Sequence, residues 1–460
     1  MKKDDKYKIL LLQRKRERKR LNRLRKDPKF KGLKGYESVY EREQFLRTSI
    51  EDRIIRNHTF QLFDFFVKNN FIDGSEKTSR IILIPKDFSF CQNYNSTIET
   101  IKNFIASMLK NLGKDIAIDF SKCEHVDFVA LFVLQILRLE FQSELKKLDR
   151  RLSVLSTNVV LMIKKSSSEE VNKHLLMAAL IPQADIKSEG LLPIDTLGYL
   201  KGSKSQRHYS ENKKGIIATK IVHYINQCLG HHEYSLSPDY MNHFGGLVSE
   251  ILNNAEDHSP QNTYFASANF FREIKKNQNE DVVGEINLTF MNFGYSIFQG
   301  FEETKVDNAE IYGRLERAFS TVKESSKNFN FTKENIFTLY ALQDGISRLK
   351  FEDESRGSGT VRFINAFFDL GDYEDEAKKY HPSLSLVSGA TQLICNNKYQ
   401  PRMNNGVFVL SLNPENDLSL APEKSNLETL KYSFPGTLFS IKIYLNKQHL
   451  KNKVDGNGKD

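Results

Sequence analysis

The chain has 460 residues, 39% of them hydrophobic, and its 67 Lys and Arg against 58 Asp and Glu give a formal net charge of +9. That length exceeds one ordinary core and predicts two globular units with extensions. Residues 1–34 alone carry 16 Lys or Arg against 4 Asp or Glu, so the remainder is close to neutral; a basic nucleic-acid groove is excluded as the plan of the globular part, and any such contact is confined to the N-terminal arm.

The first 75 residues read as a polar, helical arm, with Arg14-Lys15-Arg16-Glu17-Arg18-Lys19-Arg20 between Leu12 and Leu21. Such a run is either a solvated face or a contact, through residues 1–34, for nucleic acid or an acidic partner. The apolar stretch Ile9–Leu12 is far shorter than a secretory core and no small-residue cleavage site follows it. The longest apolar run, Phe128–Leu134, falls well short of the roughly 18–20 residues that span a bilayer. Cys91, Cys123, Cys228 and Cys395 show neither CxxC spacing nor a paired His cluster. The expectation is a cytoplasmic, soluble protein in a reducing compartment, with no membrane contact.

Residues 76–185 read as a small α/β unit. Ile81–Pro85 and Asp115–Phe120 have the apolar β-branched pattern of buried strands, and Ser96–Leu112 reads as a helix opened by a Ser or Thr cap. A turn at Ser121–Glu124 leads to Val126-Asp127 and a helix through about Leu148; Arg151–Leu155 then reads as a strand and Val171–Leu180 as a short helix. Strand and helix alternating over connections this short imply a parallel or mixed sheet with packed helices. The run Asp119-Phe-Ser-Lys-Cys-Glu-His-Val-Asp127-Phe-Val-Ala130-Leu-Phe-Val-Leu resembles the strand, loop and helix at the heart of STAS domains, the anti-sigma-factor antagonist family, and Leu175–Ile181 is similar to that family's closing helix. The family commonly has a phosphorylatable Ser just after the acidic residue; here Phe128, Val129 and Ala130 follow Asp127.

Residues 186–214, with Gly190, Pro193, Gly198, Gly202 and several Ser, read as a linker or irregular entry to a second unit over 215–447, and 448–460 as a polar tail. In that second unit Ser249–His258 places Glu250, Asn254 and Asp257 at i, i+4 and i+7 of a helix, within an arc of roughly 60°. Phe244, Leu247, Val248, Ile251, Leu252 and Ala255 form an apolar stripe beside the arc, so a helix packed on that stripe turns the three polar side chains along the rim of a cleft. By itself such an arc also fits a solvated face.

Four elements in order carry a second resemblance. Glu250-x-x-x-Asn254-Ala255-x-Asp257-His258 resembles the N-box of the GHKL ATPases, the family of DNA gyrase B subunits, MutL, histidine kinases and anti-sigma kinases. The resemblance implies that Glu250 orients or deprotonates the attacking water and that the Asn254 oxygen binds Mg²⁺, with Asp257 and His258 in the same box. After the alternating strand Glu285–Met291, Asn292-Phe293-Gly294-Tyr295-Ser296 stands where the family has Asp-x-Gly-x-Gly. Asn292 can accept from the adenine amino group through its amide oxygen but without a carboxylate's charge, and Ser296 replaces the second glycine, so a lapsed nucleotide site is the alternative. Gly345-Ile346-Ser347-Arg348 resembles the start of the family's ATP lid, and Gly357-Ser358-Gly359-Thr360 opens a helix whose N-terminal amides suit phosphate. Phe434–Leu445 resembles the terminal strand, in which Thr437 approaches the phosphates. A helical insertion over Gly300–Phe331 separates the adenine loop from the lid, and His231, His232 and His243 lack the partners a zinc site needs.

The fold class expected is α/β and α+β: a STAS-like small sheet with packed helices, then a Bergerat-type α/β sandwich. ATP and Mg²⁺ are the implied cofactors. The function implied is an ATP-dependent conformational switch acting on a regulatory protein partner or on another copy of the chain in a homodimer. An anti-sigma-type protein Ser/Thr kinase and a nucleotide sensor that binds without turnover are the alternatives.

Overall fold

Amphipathic patterning on helices and alternation on strands decide which surfaces of this chain are buried. The computed structural model describes residues 58–111, 115–152, 161–181, 195–203, 213–257, 259, 263–273, 283–346, 359–371, 381–396 and 398–446. Of the described residues, 58–64 and 141–152 belong to one compact unit, and 65–140 with those from 161 onward to the other. In the described part of the first, Phe60 and Phe63 meet the ring of Phe141 at 6.0 and 5.4 Å, and His58 Nε2 lies 3.1 Å from Glu144 Oε2. The predicted basic arm lies outside the described residues.

In chain order the elements begin with α1 (Gln61–Lys68), β1 (Ile81–Leu83), β2 (Asp87–Phe88), α2 (Tyr94–Lys110), β3 (Ile116–Asp119) and β4 (His125–Val126). There follow α3 (Phe128–Leu152), β5 (Leu161–Lys164) and α4 (Glu169–Met177). Strands β1, β3 and β5 make a parallel sheet in the order β1-β3-β5. Ile82, Ile116 and Ile118 are buried on one side of it, while Ile81, Leu83 and Met162 stay exposed on the other. Two local expectations change. Residues 151 and 152 end α3 rather than opening a strand, because the buried stripe Phe141, Leu145, Leu148 keeps helical spacing, and the third strand comes later, at Leu161–Lys164. Helix α2 starts at Tyr94, ahead of Ser96, and Asn93 at its cap position makes no side-chain cap bond; the Thr97 hydroxyl is spent on Ser89 instead.

The C-terminal part opens with β6 (Asp195–Ser203), a strand inside the stretch read as a linker; its pairing to β7 is tertiary and leaves no local apolar run to read. Next come α5 (Lys213–Gly230), α6 (Pro238–Asp257), β7 (Thr263–Glu273), β8 (Val283–Phe293), α7 (Ile297–Glu303), α8 (Ala309–Glu324), α9 (Lys333–Ala341) and α10 (Gly359–Gly371). Helices α7 and α8 occupy the predicted helical insertion. Strands β9 (Ser383–Cys395), β10 (Arg402–Asn404), β11 (Val407–Val409) and β12 (Leu427–Asn446) complete the chain. Five strands form an antiparallel sheet in the order β6-β7-β8-β12-β9. Ile286, Leu288 and Phe290 of β8 alternate onto the face that shares a core with α5, α6 and α10. Ring contacts fix that layer: Phe290 to Phe363 at 5.7 Å and Phe244 to Phe367 at 4.8 Å. The chain is therefore a mixed α/β protein with several sheets. Cys91, Cys123, Cys228 and Cys395 form no disulfide, and among the described residues no helix is long and apolar enough to cross a membrane.

Candidate functional site

Helix α6 buries Phe244, Leu247, Val248, Ile251 and Leu252, the predicted stripe, against β7, β8, α5 and α10. Glu250 and Asn254 beside that stripe are half-buried. Asp257 is the last residue of the helix, and His258 lies outside the described residues.

The end of β8 is the most unusual point of the sheet. Asn292 has no exposed surface, and neither its Oδ1 nor its Nδ2 has a hydrogen-bond partner. Leaving a buried polar group unmade costs about 1–3 kcal/mol, and natural interiors leave few such groups. Thr437 of β12 is its register partner, so the two side chains lie on one face, together with the neighbouring Ser388 of β9. Ser388 Oγ and Thr437 Oγ1 are 2.9 Å apart, and the Ile297 N–H donates to Ser388 Oγ at 2.8 Å. Gly436 has φ +144°, and a Cβ there would sit 2.1 Å from the Asn292 carbonyl oxygen, so only glycine lets β12 approach this closely. The Gly294 N–H donates to the Pro435 carbonyl at 3.0 Å, tying the loop after β8 to β12, whose register with β9 shifts between Phe434 and Thr437.

Ser296, which replaces a glycine of the resembled motif, is the N-cap of α7. Its hydroxyl accepts from Gln299 N at 3.1 Å and its N–H donates to Gln299 Oε1 at 2.9 Å, a capping box that gives Ser a local reason to stand there. Glu334, at the start of α9, accepts from Ala390 N at 3.0 Å, and burial pushes its carboxyl above the ordinary range. Sequence reasoning passed over Ser388 and Glu334. Gly389 was the available sign, since glycine inside a strand marks a close approach: here φ is +56° and a Cβ would meet Glu334 Oε1 at 2.0 Å.

Gly359 is the first residue of α10 and Thr360, half-buried, the second. The Val361 N–H donates to Leu342 O at 3.1 Å and Arg362 Nε to Asp344 Oδ2 at 3.1 Å, fixing the helix start beside the end of α9. Ser347, Gly357 and Ser358 lie outside the described residues. The structure thus brings Asn292, Gly294 and Thr437 together and sets Glu250 and Asn254 on the helix packed over the same sheet. A cavity of about 510 Å³ between β6 and α5, lined by Leu197, Thr219, Lys220, His223, Tyr224 and Gln227 among others, contains none of these residues. Among the described residues no group of three or more His, Cys, Asp or Glu is placed to hold a metal ion. A Mg²⁺ that keeps most of its waters and takes phosphate oxygens needs few protein oxygens, and the half-buried Asn254 amide is one oxygen of that kind. No family model, no curated protein and no solved structure matches the chain.

Proposed function

We propose that residues 215–447 form a GHKL-type ATP site on a Bergerat-type sandwich, that the preceding α/β elements are a STAS-like module, and that the protein is an ATP- and Mg²⁺-dependent switch acting on a partner protein. One observation carries the reading: a fully buried amide with no partner at either polar atom, at the end of a central strand, where the resembled family reads adenine. A purine amino group gives Asn292 the hydrogen bond it lacks, and Thr437 stands opposite it on the same face. Bound Mg²⁺ supplies neutralisation of phosphate charge. Asn254 offers it an oxygen, and Glu250 orients a water for in-line attack and takes its proton. The N-terminus of α10, at Gly359 and Thr360, offers main-chain N–H groups to the phosphates, the Val361 N–H being spent on Leu342 O.

The test is purified full-length protein with radiolabelled ATP and Mg²⁺, following bound nucleotide, free phosphate and protein-bound label together. Free phosphate marks an ATPase, label on protein a kinase, and binding alone a sensor. Glu250→Ala should lower turnover by about 10²–10⁴-fold while ATP affinity stays within several-fold. An unaltered turnover rate in that variant removes Glu250 from the chemistry, and no ATP binding by the wild type removes the proposal.

A further inference from the structure

The two faces of the five-stranded sheet carry opposite chemistry. Ile286, Leu288 and Phe290 of β8, with Ile441 and Ile443 of β12, belong to the core shared with the helices, and the residues between them point the other way. On that outer face strand pairing sets Ser267, Thr289, Ser440 and Ser385 in one row across β7, β8, β12 and β9, and Asn269, Asn287, Lys442 and Ser383 in the next. An antiparallel sheet with this alternation is patterned for water on its polar side. Yet Ser267, Asn269, Asn287, Thr289 and Ser385 are buried. The preceding α/β elements close over them: His174 of α4 meets the Phe271 ring at 5.2 Å, and the Cys91 side chain, ahead of α2, meets that of Ser385. Asn287 donates to Asn269 Oδ1 at 3.0 Å, but Asn269 Nδ2 and Thr289 Oγ1 are buried with no hydrogen-bond partner, a cost that contact with water removes.

The next row, toward the end of β8, is of another kind. Phe265, Met291, Leu438 and Val387 are apolar and buried. Beyond them Phe293 and Phe434 stack at 6.0 Å, and they receive Phe66 of α1 at 5.0 Å and Phe90 at 5.9 Å. The polar groups at this end are answered: the Tyr94 hydroxyl donates to Tyr432 O at 2.9 Å, and Gln392 Nε2 donates to Phe90 O at 3.2 Å.

We propose that the α/β elements are a hinged cover on the outer face of the sheet: anchored at the aromatic end, they swing off the polar rows and let water reach Thr289, Asn287 and Asn269. Interfaces between parts of one chain move unless they are large and apolar, and only one end of this one is apolar. Opening restores the hydrogen bonds that Asn269 and Thr289 lack, which lowers the cost of the open state. The surface uncovered is a band of hydroxyls and amides, with the Glu285–Lys442 ion pair at 3.2 Å on its rim. The hinge follows from packing alone and does not depend on nucleotide binding.

Alkylation of the full chain by iodoacetamide, followed position by position by mass spectrometry, tests this. Thr289→Cys puts a thiol in the polar rows and Val387→Cys puts one in the apolar row of the same face. Both positions are 1% exposed, so a difference in their rates reports motion. Native Cys228 and Cys395, in the core on the helix side, report unfolding of the whole sandwich. The thiol at position 289 should react about 100-fold or more faster than Cys228 and Cys395, and the thiol at 387 within about threefold of them. His174→Ala, which removes the ring closing the polar end onto Phe271, should raise the rate at 289 about threefold to tenfold and leave the other three unchanged. Asn287→Cys is the second reporter of the polar rows where Thr289→Cys does not fold. Alkylation in the polar rows no faster than at Cys395 shows that they stay covered and overturns the proposal. Equally fast alkylation at 289 and 387 overturns the anchored hinge, and a rate at 289 unmoved by His174→Ala overturns these elements as the part that opens.

Discussion

Asp127 at the start of α3 is a half-buried polar side chain and Asn292 at the end of β8 a fully buried one, and they differ in how they are answered. Asp127 collects the Ser89 hydroxyl at 2.8 Å and the N–H groups of Phe90, Cys91 and Ala130 at 2.7, 3.3 and 2.7 Å. Burial raises its carboxyl above the usual range, and these donors pull it back. It is a helix cap and loop clamp whose capacity is filled. Asn292 collects nothing. A filled group holds the fold together, while an unfilled one leaves its desolvation uncompensated.

The same isosteric exchange at both positions should give effects of opposite sign. Asp127→Leu leaves the donors at Ser89, Phe90, Cys91 and Ala130 without their acceptor and should cost about 3 kcal/mol or more, read as a drop in the urea midpoint at unchanged slope. A loss below about 1 kcal/mol would mean that water replaces the carboxylate and that the clamp is not structural. Asn292→Leu removes two unanswered polar atoms, so the nucleotide-free protein should gain about 1 kcal/mol or stay unchanged, while ATP binding is lost. A large loss of stability in that variant, with ATP binding retained, would place Asn292 in the same structural class as Asp127.

Between the two in effect is Ser89→Ala, which removes one of Asp127's donors and should cost about 1 kcal/mol without touching ATP affinity. The smallest effect concerns Asp119 on β3, a carboxylate near the surface. The Ser121 side chain, followed by the Ser121 N–H and Lys164, lowers it from 3.8 to about 2. Because the folded value lies below the unfolded one, its contribution is present above about pH 4 and disappears as pH falls through about 2. The stability difference between wild type and Asp119→Asn should therefore shrink between about pH 5 and pH 2.5. A difference that stays constant over that range would show that the Ser121 and Lys164 contacts do not favour the charged form.

Much of the placement of the candidate site's elements could be read in the chain because those elements are locally coded. The stripe from Phe244 to Leu252 determines by its spacing that α6 packs with Glu250 and Asn254 at the edge of its buried face. The alternation of Ile286, Leu288 and Phe290 determines in the same way which face of β8 meets the helices. The strand at Asp195–Ser203 could not be read, since an edge strand is defined by its partner, and neither could the extension of α3 to Leu152 across residues with a competing β pattern. The row Asn292, Thr437, Ser388 joins residues up to 145 positions apart in the sequence through the registers of three strands. Which donors reach Asp127 is decided by the pairing of β2 with β4, which brings Ser89 and the following loop beside it, and the surroundings of Asn292 by the registers of β8, β12 and β9 and the close approach at Gly436. Sequence determined the residue types and the faces they occupy, because both follow from periodicity along one element; tertiary structure alone decided which hydrogen bonds are filled, because a hydrogen bond depends on two groups meeting within about 3 Å.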